Sequence, residues 1–303
     1  MKGQNLLRSA WTESLARGEH PDADALREHL RAVHRVNAGF TEVCASTCRD
    51  TAGRSSYEWL AEVVSGDGSE HVLDLACGSG PLLELLHARN PNLRLTGVDM
   101  CPEELTLARH RLPDGAAEFL QTQAQDMAGV PDGSVDAVLC HWALTLMDPV
   151  EPVVDEVRRV LAPKGRFAAL VDGPMDAAPG YRAVHDLIYG HVQKEFPQYG
   201  QVDLGDPRVR DSDGLIALVY AAFPDAEVTI QTDVVTLGGP REQVAQAAAG
   251  FFYAGFVLSP ERRARMISDL ETLLNTPAAA SVPSGQGRGG YFAMPVNRLL
   301  VVG

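Results

Sequence analysis

Residues 71–86, "HVLDLACGSGPLLELL", run from an apolar stretch through a turn of small residues into a leucine-rich helical repeat. A strand that ends in a glycine-bearing turn and feeds straight into a helix is how a βαβ unit begins, and it governs the reading of everything after it. Downstream, "LRLTGVDM" (93–100), "AEFLQTQ" (117–123), "VDAVLCH" (135–141) and "GRFAALVD" (165–172) read as strands. Between them, "CPEELTLARHRL" (101–112) and "EPVVDEVRRVLAPKG" (151–165) carry helical periodicity. Strands and helices in alternation imply a parallel sheet covered by helices on both faces.

Helical material surrounds this pattern. "PDADALREHLRAVHRVNAGFTEVC" (21–44) repeats apolar positions at helical spacing, and "RSSYEWLAEVV" (54–64) opens at a serine cap with Glu58 close behind. Further on, 181–196, 211–223, 241–258 and 259–275 read as helices, while "AEVTIQTDVVTLGG" (226–239) and "VNRLLVVG" (296–303) bring the strands to seven. The expected organisation is an N-terminal helical lid over 1–66 and a core over 67–303. Helical cap insertions are expected at about 174–212 and 241–290, over the carboxyl edge where open α/β sheets bind ligands.

Composition narrows the partners. A formal net charge of -14, with lysine only at Lys2, Lys164 and Lys194, argues against a nucleic-acid partner, because phosphate backbones demand clustered Lys and Arg. The N-terminus lacks the apolar core of a signal peptide, and "AQAAAGFFYAGFVL" (245–258) is too short to span a bilayer, so no membrane role and a cytoplasmic location are expected. Five cysteines without a CxxC pair indicate neither a disulfide framework nor a zinc ribbon; Cys44 and Cys48, one helical turn apart, read as small core residues.

The turn itself disfavours one ligand class, the dinucleotide of a nucleotide-dependent oxidoreductase, and excludes another. A dinucleotide fingerprint needs a third glycine where this chain has Leu83, and no GxxxxGK[ST] is present for a phosphate loop. Gly78 and Gly80 follow the acidic strand residue Asp74, and further acids stand at Asp99, ending the second strand, and Asp126, after the third. Carboxylates accept from a diol or an amine and repel a phosphate, so the ligand suggested is an uncharged nucleoside.

In order and spacing, "VLDLACGSG" (72–80), "LTGVDM" (95–100), "QAQDM" (123–127), "PDGSVDAVLCHWALTLM" (131–147) and "VRRVLAPKGRF" (157–167) resemble the successive motifs of class I S-adenosylmethionine-dependent methyltransferases, over residues 70–172. The resemblance implies a Rossmann-like, mostly parallel seven-stranded sheet and S-adenosyl-L-methionine as cofactor, with S-adenosyl-L-homocysteine as product. It also implies that Asp74, Ala76, Cys77, Gly78 and Gly80 line the methionine and ribose part. Asp99 would accept the ribose hydroxyls with Met100 flanking the adenine. Asp126 would accept from the adenine amino group with Met127 beside it, and Cys140 and His141 would lie near the sulfonium. Ala76 stands where many members have glycine, which requires a compatible backbone angle there.

The acceptor is expected to be a small metabolite of secondary metabolism, methylated on oxygen or carbon. His141 is the first candidate for a base or acceptor-orienting group, and Tyr181, His185 and Tyr189 share one face of their helix. His185 and His191, six apart, are poorly spaced for one metal, and no metal site is expected. "FFYAGF" (251–256) reads as a buried cap helix, possible as an apolar pocket wall, and Arg288 as a solvated loop residue or a carboxylate clamp. The chain is expected to be a monomer or homodimer. The alternative is a protein of this fold that uses S-adenosylmethionine for cyclisation or elimination without methyl transfer.

Overall fold

The computed structural model describes residues 7–65, 70–200, 204–275 and 289–303, so Arg288 lies outside the described residues. The chain divides into two compact units. One comprises Met1–Ala52, Met175–Asp203 and Val234–Pro295; the other Gly53–Pro174, Leu204–Asp233 and Val296–Gly303.

The second unit carries the sheet. Its strands are β1 (His71–Leu75), β2 (Arg94–Asp99), β3 (Glu118–Gln121), β4 (Val135–His141), β5 (Leu161–Asp172), β6 (Glu227–Gly239) and β7 (Gly290–Val302), in the order β3-β2-β1-β4-β5-β7-β6; β6 and β7 each run across the unit boundary. β1 pairs in parallel with β2 and β4, β2 with β3, and β4 with β5, whereas β7 is antiparallel to β5. All five residues of β1 are buried, as a central strand covered on both faces must be. The order places β2 and β3 on one side of β1 and β4 on the other, so the direction of winding reverses between β1 and β4. Open sheets of this kind bind ligands beside that reversal, outside the carboxyl ends of the strands.

Helices α4 (Ser56–Ala61), α5 (Pro81–Arg89), α6 (Pro102–Arg111), α7 (Glu151–Val160) and α9 (Ser212–Ala222) belong to the sheet unit. α4 opens as its sequence predicts: the Ser55 side chain accepts from the Glu58 amide, and Glu58 returns a carboxylate to the Ser55 amide at 2.7 Å. α7 stops earlier than its pattern suggests. Leu161 and Ala162 are already extended ahead of Pro163, and Lys164 takes φ 65, so "LAPKG" begins β5. The core lies between the sheet and its helices, with Val138, Val154, Phe167 and Leu299 fully or almost fully buried in it.

The helical unit holds α1 (Ala10–Ala16), α2 (Ala23–Asn37), α3 (Phe40–Thr47), α8 (Tyr181–Gln193), α10 (Arg241–Phe251) and α11 (Pro260–Leu273). The run predicted over 21–44 is two helices, broken at Gly39, whose φ of 76 a helix interior does not accept. The run over 241–258 likewise ends at Phe251 and continues as a 3₁₀ turn over Tyr253–Val257. Its own core centres on Trp11, stacked on buried His29 at 4.9 Å and edge-on to Tyr199 at 5.2 Å. Among the described residues no helix is long and apolar enough to cross a membrane.

Candidate active site

The loop from β1 into α5 is bound to the end of β2. The Cys77 amide donates to the Val98 carbonyl at 3.0 Å and the Gly78 amide to Asp99 Oδ2 at 2.9 Å, while Asp99 Oδ1 accepts from the Cys101 amide at 2.8 Å. Asp99 thus closes two turns at once. Gly80 caps α5 at φ 80 without a side-chain cap, and a Cβ there would approach Ala108 Cβ to 3.0 Å. Behind the turn, Gly97 leaves the space that Leu83 and Cys77 fill; a Cβ on it would meet their side chains at 2.8 and 2.9 Å. The small residues are therefore required by the packing of the loop against its neighbours. Ala76 adopts φ 58, the left-handed angle its position demands, which costs an alanine about 1 kcal/mol.

Asp74 sits beneath this loop and is 1 % exposed. Its Oδ1 has no hydrogen-bond partner among the described residues, and burial, then the charge of Asp99, pushes its carboxyl well above the usual carboxylate range. A buried acceptor left without a donor is costly, so the loop is arranged around a group that brings one. A second carboxylate beside it makes phosphate the wrong guest and an ammonium or hydroxyl the right one. Asp74, Asp99, Gly78, Gly80 and the half-buried Met100 fit a nucleoside joined to an amino acid.

Of the residues expected at the cofactor, two turn their side chains into the core and a third stands exposed. Met127 is fully buried in the core and its amide is held by Glu156 at 2.6 Å, which gives its side chain a packing role. Cys140 is also fully buried in the core, where its thiol is pushed up to about 12; neighbours on a strand face opposite sides, so only its backbone reaches the edge. Asp126 is exposed and shapes its own turn, its amide donating to the Gln123 carbonyl and its carboxylate accepting from Ala128 at 3.3 Å. Cys77 is buried against the loop with its thiol pushed up by desolvation, a packing role.

At the end of β4, on the other side of the winding reversal, His141 Nε2 lies 2.7 Å from Ser56 Oγ and the ring stacks on Tyr57 at 4.0 Å. Burial pushes His141 down to about 3, so the imidazole is neutral throughout the physiological range. A neutral, doubly held ring orients a partner well and accepts a proton poorly, which disfavours the role of free base. Trp142, at φ 54, follows it and donates from Nε1 to Asp172 at 3.0 Å, fixing the strand end. Ser56 and Tyr57 escape sequence reading because α4 is 85 residues from His141 and its serines look like ordinary caps.

His185 and Tyr189 belong to the helical unit. Their rings stack on one another at 4.1 Å, His185 Nδ1 meets Asp186 at 3.0 Å, and Tyr189 lies edge-on to Tyr199. Tyr181, one turn earlier, is buried near Phe252 and Phe292, and His185 lies edge-on to the same Phe252. "FFYAGF" closes this region: Phe256 packs on Phe40 at 4.4 Å and under the Arg263 guanidinium at 4.1 Å. The expected catalytic residues are thus divided, His141 in one unit and the His185–Tyr189 pair in the other.

A glycine turn at the winding reversal and two acids at the ends of β1 and β2 fall within the part of the chain that resembles known proteins. Residues 73–169 match the family model of a methyltransferase domain. Trans-aconitate 2-methyltransferase from Paracidovorax citrulli is 37% identical over 119 residues, 39% of this chain and 45% of that one. Demethylmenaquinone methyltransferase from Thermus thermophilus is 30% identical over 139 residues, 45% of this chain and 61% of that one. The chain spans about half the length of these curated relatives. In fold it is similar to the crystal structure of the 4+2 cyclase SpnF, with a TM-score of 0.55 and 18% identity, covering 92% of this chain and 97% of the other.

Proposed function

We propose that the chain transfers the methyl group of S-adenosyl-L-methionine to an oxygen or carbon of a small metabolite, in the cytoplasm and within secondary metabolism. The observation that carries this reading is Asp74, whose buried oxygen lacks a donor directly beneath the loop that Asp99 holds closed. Bound S-adenosylmethionine supplies an electrophilic methyl on a sulfonium. Asp74 would accept from its amino-acid end and Asp99 from the ribose hydroxyls, with Met100 beside the base. His141, neutral and fixed by Ser56 and Tyr57, would orient the acceptor at the strand edge. Transfer needs nucleophile, methyl and sulfur in line, so holding the reactants contributes more than any single proton transfer. The helical unit, with His185 and Tyr189, would carry acceptor selectivity.

Calorimetric titration with S-adenosylhomocysteine tests the cofactor assignment: one-site binding supports it, and tighter binding of NAD overturns it. A second reading keeps the cofactor and drops the transfer. It draws support from the His141 imidazole, which is held by Ser56 and Tyr57 and whose proton affinity burial lowers, and from the fold shared with a named cyclase. Turnover with isotopically labelled methyl donor separates the two, because unlabelled product requires the non-methylating reaction.

A further inference from the structure

His191, in the last turn of α8, opens onto a separate depression in the helical unit. A cavity of about 390 Å³ is lined by His191, Lys194, Arg262, Arg265, Ser268 and Asp269. His191 and Lys194 are three residues apart at the end of α8, and Arg262 and Arg265 are three apart in the first two turns of α11, so each pair projects from one face of its helix. The cations on α8 lie at a helix C-terminus, where the macrodipole favours them. Arg262 lies in the first turn of α11, where the macrodipole opposes a cation, so helix stability does not account for it.

Both acids nearby are engaged. Asp269 meets His191 Nε2 at 2.9 Å and Glu195 meets Arg262 at 2.9 Å. Lys194 and Arg265 have no ion-pair partner among the described residues. Concentrating cations here is unexpected in a chain of net charge -14 that contains three lysines, Lys2, Lys164 and Lys194. We propose that this cavity binds a compact multivalent oxyanion, with Lys194 and Arg265 as its principal anchors, Arg262 and the Ser268 hydroxyl as supporting donors, and its charge borne on phosphate or clustered carboxylate groups. Guanidinium groups suit both, and the volume admits a ligand of metabolite size.

The site is independent of the cofactor assignment and is tested separately. Inorganic pyrophosphate and citrate are each titrated calorimetrically into the full chain at low ionic strength. Saturable one-site binding of either, tighter than about 1 mM, is expected, and the preferred probe distinguishes phosphate from carboxylate. Affinity should fall about ten-fold or more in Lys194→Ala/Arg265→Ala and weaken with salt, while S-adenosylhomocysteine titration stays unchanged. Arg182→Ala, whose cation pairs with Asp176 outside the cavity, serves as a control and should bind as the parent. Failure of both probes to saturate, or a double variant that binds as tightly as the parent, overturns the proposal. Should the double variant lose its fold, Lys194→Gln alone decides on the same criterion.

Discussion

The loop over Asp74 and the ring face of α8 solve opposite problems. At the loop, a buried carboxylate oxygen lacks a donor and a non-glycine residue holds a left-handed angle, features that folding alone would have removed. On α8, His185 and Tyr189 stack on one another and on their neighbours, and, among the described residues, the buried oxygen left without a partner beside them is a phenol hydroxyl, that of Tyr199, in place of a carboxylate. An unpartnered buried carboxylate beside a strained turn calls for a donor from outside the chain, whereas an aromatic face is compatible with a substrate wall or an ordinary interface.

The largest effect is expected at Asp99, which serves both the loop and the ligand. Asp99→Ala removes two backbone hydrogen bonds to a charged acceptor and should weaken S-adenosylhomocysteine binding by about 2 kcal/mol or more, with a lower Tm. Unchanged affinity in a folded variant would dissolve the contrast at its strongest point.

Asp74→Asn sharpens the contrast through pH. A carboxyl raised in the folded state keeps its proton when the unfolded chain has lost it, so its contribution to stability is present at low pH and is lost as pH rises through the raised value. The ligand-free parent should therefore lose stability over that rise. Asp74→Asn should flatten the dependence in denaturant titrations while weakening S-adenosylhomocysteine about ten-fold.

His141 runs the other way. Lowered to about 3 from an ordinary 6.5, it stays neutral while the unfolded chain takes up a proton, so its contribution is present above pH 6.5 and is lost between 6.5 and 3. Ser56→Ala should cost about 1 kcal/mol and lift the His141 titration toward its ordinary range, read by NMR of the imidazole, with Ser56→Thr restoring the parent value. Ala76→Gly exchanges strain for chain entropy and should change stability by less than about 1 kcal/mol. The smallest effect is expected on the aromatic face of α8: Tyr189→Phe should leave S-adenosylhomocysteine affinity unaltered and act, if at all, on the acceptor's KM.

The sheet from β1 to β5 was legible because each strand begins or ends at a turn or cap that the sequence marks, and Asp74, Asp99 and the glycine turn were legible because strand ends place them. What motif order cannot express is which face of a strand or loop a side chain takes. Met127 and Cys140 match the family pattern and yet point into the core, while Asp126 forms a turn. β7 was longer than its final apolar run because Pro295 and the glycines before it look like loop. The partners of His141 were invisible, since apposition of α4 to the end of β4 is a property of tertiary packing alone.

All five cysteines, Cys44, Cys48, Cys77, Cys101 and Cys140, are buried, and desolvation pushes the Cys101 thiol up to about 11. Thiolate, the reactive form, is consequently scarce and shielded. The native chain should remain silent toward maleimide dyes, so that one cysteine introduced on an exposed helix position, such as Leu107→Cys on α6, would report alone. A fluorophore there could follow cofactor binding without first stripping the protein of its own sulfur.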